Sequence, residues 1–179
     1  MKKHAYCEKP LANNMKELLP AYDAVKENKV IVQIGTQLRS YASFTGAREV
    51  YKSGILGTVS RVEQCRNGNS PYWYSRIRKD LKKEDVNWKE FTGGVTDKPF
   101  DPVLCSAWYG YRDFSDGPIP QWGSHFIDLV HYITGAQFPE SAVCDGGIYT
   151  WKDENNFSCP DHIQVLWKYP DGFMVSYST

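Results

Sequence analysis

Apolar and polar positions along the chain follow two periods, and the places where the period changes divide it into elements. His4-Ala5-Tyr6-Cys7 reads as a short strand that Glu8-Lys9-Pro10 breaks. Leu11, Met15, Leu18, Leu19, Tyr22 and Val25 then recur at three- and four-residue steps, the stripe of an amphipathic helix. Asn13 or Asn14 supplies its N-cap, with Glu17 three residues after Asn14. Pro20 falls inside the stripe and is expected to kink or restart the helix, because it removes a helical N–H. Val30-Ile31-Val32-Gln33-Ile34-Gly35 is nearly continuous in apolar character, which predicts a strand buried on both faces. Strand, helix and strand within 35 residues make one βαβ crossover. One such unit cannot cover its own sheet, so the pattern predicts further chain ahead of Met1.

From Tyr41 the character changes, and the expected division is 1–40 for the βαβ remnant and 41–179 for a second α/β unit. Residues 41–53 form a helix carrying Phe44, Ala47, Val50 and Tyr51, closed by Ser53-Gly54. Residues 57–63 alternate as a half-buried strand. Arg76 to Asp85 is a mixed-charge run expected on the surface, and residues 86–120, rich in Trp, Pro, Gly and Asp, read as a long irregular excursion of the kind that carries function. A helix follows over Ser124 to Thr134, with Phe126, Leu129, Val130 and Ile133 on one face and Gly135 at its end. Residues 163–167 and 173–177 alternate around Tyr169-Pro170-Asp171-Gly172, which predicts a β-hairpin.

Composition narrows the function classes. Lys plus Arg and Asp plus Glu both number 21, so the chain lacks the basic field that nucleic-acid binding needs. At 41% hydrophobic and 23% charged it is globular, and no apolar stretch is long enough to predict a membrane span. The five cysteines contain no C-x-x-C pair. They are expected as buried, reduced thiols in a cytoplasmic protein, and Cys159, Asp161 and His162 alone are too few and too local to predict a metal site.

Three groups could carry chemistry. Lys9, between Glu8 and Pro10, follows a parallel strand and is expected at the carboxyl edge of the sheet, where α/β proteins bind ligands. Gln37 and Arg39 follow the second strand and belong to the same edge. On the helix at 124–134, His125, Asp128 and Tyr132 fall at steps of three and four, gathering an imidazole, a carboxylate and a phenol on one side, while His131 points elsewhere.

Together these segments resemble the Gfo/Idh/MocA family of nicotinamide-dependent sugar and polyol oxidoreductases. The likeness rests on Lys3 to Ala12 around Glu8-Lys9-Pro10, on Val32 to Ser40, on Ser53-Gly54-Ile55-Leu56-Gly57, and on Trp122-Gly123-Ser124-His125-Phe126-Ile127-Asp128, in the family's order. The resemblance implies the C-terminal remnant of a Rossmann domain followed by an α+β domain with an open, mostly antiparallel sheet. It implies NAD or NADP as cofactor, with Glu8, Lys9, Pro10 and Gln37 on the cofactor side and a sugar or polyol as substrate. Lys9, Asp128 and Tyr132 are the implied catalytic residues, Tyr132 taking the alcohol's proton with Lys9 lowering its pKa. His125, Arg39 and Trp122 orient the substrate, and the intact protein is expected to be a homo-oligomer.

No G-x-G-x-x-G occurs in the chain, so the pyrophosphate-binding fingerprint is expected upstream of Met1. Gln121 stands where many members carry a small or acidic residue, which leaves substrate choice open. Two alternatives accompany the redox reading: an NAD-dependent glycosidase of the same family, and a non-catalytic carbohydrate- or protein-binding module that uses the chain's many aromatic residues.

Overall fold

The computed structural model describes residues 2–12 and 14–179. Strands β1 (Ala5–Glu8) and β2 (Val32–Gly35) pair in parallel, with helix α1 (Met15–Asn28) as the crossover. The Asn14 side chain accepts from the Glu17 N–H and caps α1; the alternative cap, Asn13, lies outside the described residues. Of the kink or restart expected at Pro20 there is no restart: α1 runs through it. The proline sits in the second turn, so only the solvent-facing carbonyl of Lys16 loses its donor.

The expectation that β2 is buried on both faces is not met. Its residues are half-buried or exposed, Ile31 just before it is 69% exposed, and α1 contributes no buried residue. Two strands and one weakly packed helix do not enclose the apolar stripe. Leu18 and Val25 are half-buried, whereas Met15, Leu19 and Tyr22 face outward.

A short 3-10 turn at Gln37–Ser40 leads into α2 (Ala42–Lys52), which packs on a later helix, α5 (Ser124–Thr134). The second sheet has the order β3-β6-β5-β4, formed by β3 (Arg61–Cys65), β4 (Ser141–Gly147), β5 (His162–Lys168) and β6 (Met174–Ser178). Its β4–β5 and β5–β6 pairings are antiparallel and β3–β6 is parallel, so it is open and mostly antiparallel. The predicted hairpin is present, with Gly172 at φ +89° in the turn.

One face of this sheet packs against α5 through Ile163, Val165, Val175 and Tyr177. The other exposes Val143, Leu166 and Met174. The excursion at 86–120 is better ordered than expected. Short helices α3 (Trp88–Thr92) and α4 (Pro102–Ser106) and several 3-10 turns enclose a second core of Trp73, Val103, Leu104, Ala107, Tyr111, Phe157 and Cys159. The cysteines also depart from expectation. Only Cys159 is buried, its thiol pushed up to about 12 by burial, while Cys65 and Cys144 are exposed, Cys65 on the free face of the sheet and Cys144 on the edge strand β4. Among the described residues no helix is long and apolar enough to cross a membrane.

Candidate active site

Lys9 leaves the carboxyl end of β1 and crosses to the start of α5. Its Nζ donates to the Pro120 carbonyl (3.0 Å), the Gln121 carbonyl (2.8 Å) and the Ser124 hydroxyl (3.1 Å). A π-turn at Ile119–Gly123 makes this docking possible. In that wider register the Ser124 N–H bonds back to the Ile119 carbonyl, and the Pro120 carbonyl is left for Lys9 and the Ser124 hydroxyl. The Lys9 ammonium is half-buried, and burial lowers its pKa.

His125 follows one residue after Ser124. Its pKa is lowered by burial first and by the Lys9 charge second, against a weaker pull from Asp128. Its imidazole is therefore neutral near pH 7 and able to take a proton. The Trp122 ring lies 5.9 Å from it, centroid to centroid.

Arg39 donates Nε to Asp128 Oδ2 (2.8 Å) and Nη2 to Asp128 Oδ1 (2.6 Å), a two-pronged bridge from the β2 edge to α5. Hydrogen bonding to Asp128 raises the guanidinium's pKa. Tyr132, one turn further along α5, lies between two guanidiniums, Arg48 at 4.7 Å and Arg39 at 5.4 Å from its ring centre. A cavity of about 570 Å³ opens beside this bridge, lined by Tyr6, Gln33, Thr36, Gln37, Arg39 and Asp128 among others.

The predicted residues thus fall into two sets. Lys9, His125 and Trp122 gather at the N-terminal end of α5, while Arg39, Asp128 and Tyr132 gather beside the cavity with Gln37. Ser124 and Tyr132 are eight residues apart, about 12 Å along the helix axis, and the groups that Lys9 bonds lie at the Ser124 end. Glu8 is the last residue of β1 and Pro10 follows Lys9 through a cis bond. His131 is tied to the hairpin instead, its Nε2 2.8 Å from the Tyr169 hydroxyl. Asp161 and His162 are also bonded to each other, and the Asp161 carboxylate accepts the N–H groups of Tyr149, Thr150 and Trp151.

Sequence reasoning missed Ser124, which lies inside the motif that contains His125, and the carbonyls of Pro120 and Gln121. Backbone acceptors carry no side-chain signal; the flanking prolines at 118 and 120 were the available hint of unusual backbone there.

Residues 52–179 match the family described as the oxidoreductase family, C-terminal alpha/beta domain, of the Gfo/Idh/MocA group. The chain belongs to this family. Among curated proteins, this Gfo/Idh/MocA chain is 29% identical over 175 residues to the 2,7-anhydro-N-acetylneuraminate hydratase of Escherichia coli, covering 98% of the chain and 38% of that protein. It is 28% identical over 145 residues to an uncharacterized oxidoreductase of Streptococcus pneumoniae, covering 81% of the chain and 31% of that protein. Among solved structures, the WlbA dehydrogenase of Bordetella pertussis, in complex with NADH and UDP-GlcNAcA, superposes with a TM-score of 0.68 at 16% identity over 99% of this chain and 44% of that one. The chain therefore spans well under half the length of these relatives, and the last likeness is one of fold.

Proposed function

We propose that this Gfo/Idh/MocA chain forms the substrate-facing part of an NAD(P)-dependent oxidoreductase acting on a sugar or polyol hydroxyl. The observation that carries the reading is the docking of Lys9 on the start of α5 beside His125. An ammonium and a neutral imidazole side by side can stabilise a forming alkoxide and remove its proton.

The cavity beside the Arg39–Asp128 bridge fits the nicotinamide end of the cofactor: about 570 Å³, at the carboxyl ends of parallel strands, with hydroxyl and amide groups from Thr36, Gln37 and Gln33 on its wall. Those residues would hold the ring and its ribose; the bound cofactor supplies the hydride acceptor or donor. Asp128 holds the Arg39 side chain against the rim and acts as a positioning residue. Lys9, whose N–H donors are held by residues 120, 121 and 124, acts on the substrate oxygen through its charge, and Trp122 borders the sugar ring. Of the two candidate proton acceptors, His125 is favoured over Tyr132, because Lys9 lies at its end of the helix. Exposure of Val143, Leu166 and Met174 on the free sheet face supports self-association as part of the same reading.

A second reading has one observation in its favour, the hydratase among the curated relatives. On that reading, an NAD-dependent glycosidase, the sugar chemistry of this chain is redox-neutral overall and reduced nicotinamide does not accumulate.

The test is a nuclear magnetic resonance titration of the chain with reduced nicotinamide mononucleotide and with myo-inositol. The nucleotide is expected to shift the amides of Gly35 to Gln37, and inositol to shift the His125 ring and the Trp122 indole, with tighter inositol binding when the nucleotide is present. Lys9→Met is expected to weaken inositol binding at least tenfold and His125→Asn about fivefold, the scales of a charged and a neutral interaction, and Tyr132→Phe to leave it within about twofold because it stands at the other end of the helix. Absence of nucleotide shifts at Gly35 to Gln37 overturns the reading, and a larger effect of Tyr132→Phe than of His125→Asn returns the acceptor to Tyr132.

A further inference from the structure

Beside Trp122 lies a small pocket that the mechanism above does not use. It holds about 100 Å³ and is lined by, among others, Arg66, Tyr72, Trp122, Trp151 and His162. Three of those side chains present complementary chemistry. The Arg66 guanidinium lies 4.6 Å over the Trp122 ring, and among the described residues no carboxylate stands within ion-pair distance of it. Its side-chain hydrogen bond is a long one, 3.5 Å, to the carbonyl of neighbouring Asn67.

His162 is half exposed, and its Nδ1 lies 2.7 Å from Asp161 Oδ1. The Asp161 side chain is 1% exposed and accepts three backbone N–H groups. Burial works to raise its pKa, but the His162 bond and those three N–H groups outweigh it and hold the carboxyl down at about 2. The Asp161 carboxylate takes the Nδ1 edge of the His162 ring and leaves Nε2, on the opposite edge, as a hydrogen-bonding atom turned away from it. Asp161 also lines the pocket, and the four donors on its oxygens turn its charge toward residues 149–151 and His162 and screen it from an anion held on Arg66. Aromatic rings of Tyr72, Trp122 and Trp151 complete the wall.

A free cation, an outward imidazole nitrogen and aromatic rings together select a ligand with an anionic group, a hydroxyl and C–H faces. A phosphate has no C–H face, and a neutral polyol leaves the guanidinium unpaired. We propose that this pocket is the subsite for a carboxylate-bearing sugar, its carboxylate on Arg66, a ring hydroxyl hydrogen-bonded to His162 Nε2 and the sugar ring at the pocket mouth beside Trp122. The proposal rests on the sugar-oxidoreductase reading and names its substrate class. Because Trp122 also borders His125, a ring seated here extends toward Lys9 and His125.

The decisive experiment compares D-glucuronate, its methyl ester and D-glucose by titration, following the Trp122 indole and His162 ring signals. Glucuronate is expected to bind at least tenfold more tightly than either neutral sugar, the scale of one hydrogen bond to a charged group. Arg66→Gln should remove that preference, while His162→Phe weakens all three ligands. The methyl ester tests the charge without altering the protein, so a misfolded variant does not decide the outcome. Equal affinity for all three, or signals that stay in place with each, overturns the carboxylate subsite. Failure of the oxidoreductase reading is seen separately, in the response of Gly35 to Gln37 to nicotinamide mononucleotide.

Discussion

Asp161 shows how a single carboxylate can fix a loop. Its two oxygens gather the N–H groups of three consecutive residues, 149 to 151, and the imidazole of its neighbour. A carboxyl held at about 2 instead of 3.8 binds its proton less readily in the folded state than in the unfolded one. Its contribution is therefore complete above pH 3.8 and is lost as the pH falls toward about 2; the shift corresponds to roughly 2 kcal/mol. Asp161→Asn is expected to lower the unfolding free energy by about that amount near neutrality, since an amide cannot accept all of these bonds. Urea titrations of both proteins should converge as the pH approaches 2, and a difference that persists unchanged there would contradict the account. At this scale the sequence was a partial guide. Lys9, His125, Asp128 and Arg39 stand out by residue type and position, and Lys9, Arg39 and Asp128 bridge separate elements. What the sequence could not show is the partner of each: Lys9 reaches backbone carbonyls, and Asp128 is committed to Arg39.

Elements with a clean period were legible. The helix at 124–134 and the hairpin after it were readable because apolar residues recur at 3.6 and 2 in segments bounded by Gly135 and by Pro170-Asp171-Gly172. Strand β4 was not, because Ser141–Gly147 carries Asp145 and two glycines and offers one large apolar side chain, Val143. It exists through seven-residue pairing with β5, a partner outside its own segment beyond residues 148–161. The parallel β3–β6 contact is hidden for the same reason. In the excursion, Gly110 replaces periodicity as the organising feature. Its carbonyl accepts the N–H groups of Ser158 and Cys159, and a Cβ there would stand 2.3 Å from Phe157 and 2.7 Å from Trp73. Both rings are buried and cannot retreat without opening the second core. Gly110→Ala is expected to destabilise the chain by about 1–3 kcal/mol through overpacking. A shift in urea midpoint of that size, with helix content by circular dichroism retained, is the check; a neutral substitution would mean the two rings are loosely held.

Across the whole molecule the two sheets differ in how they are held. The four-stranded sheet is backed by α5 and carries Val175 and Tyr177 at 0% and 1% exposure. The β1–α1–β2 unit has two strands, no fully buried helix residue and a row of outward apolar side chains, so its own packing is near the limit for independent stability. Polar tethers to α5 therefore take a larger share: the Lys9 ammonium on residues 120, 121 and 124, and the Arg39–Asp128 bridge. The two tethers are also the parts of the candidate site that reach across from one sheet to the other, so loosening the unit and disordering the site are the same event. Hydrogen exchange can separate the two sheets, because amides report local opening where it occurs. In Lys9→Met combined with Asp128→Asn, the amides of β1 and β2 are expected to exchange roughly three- to tenfold faster, a discount for partly exposed charges being included. Those of β5 and β6 should keep their rates. Equal acceleration in both sheets would mean that the tethers support the whole fold, and no change in either would mean that apolar contacts of α2 with α5 hold the unit in place.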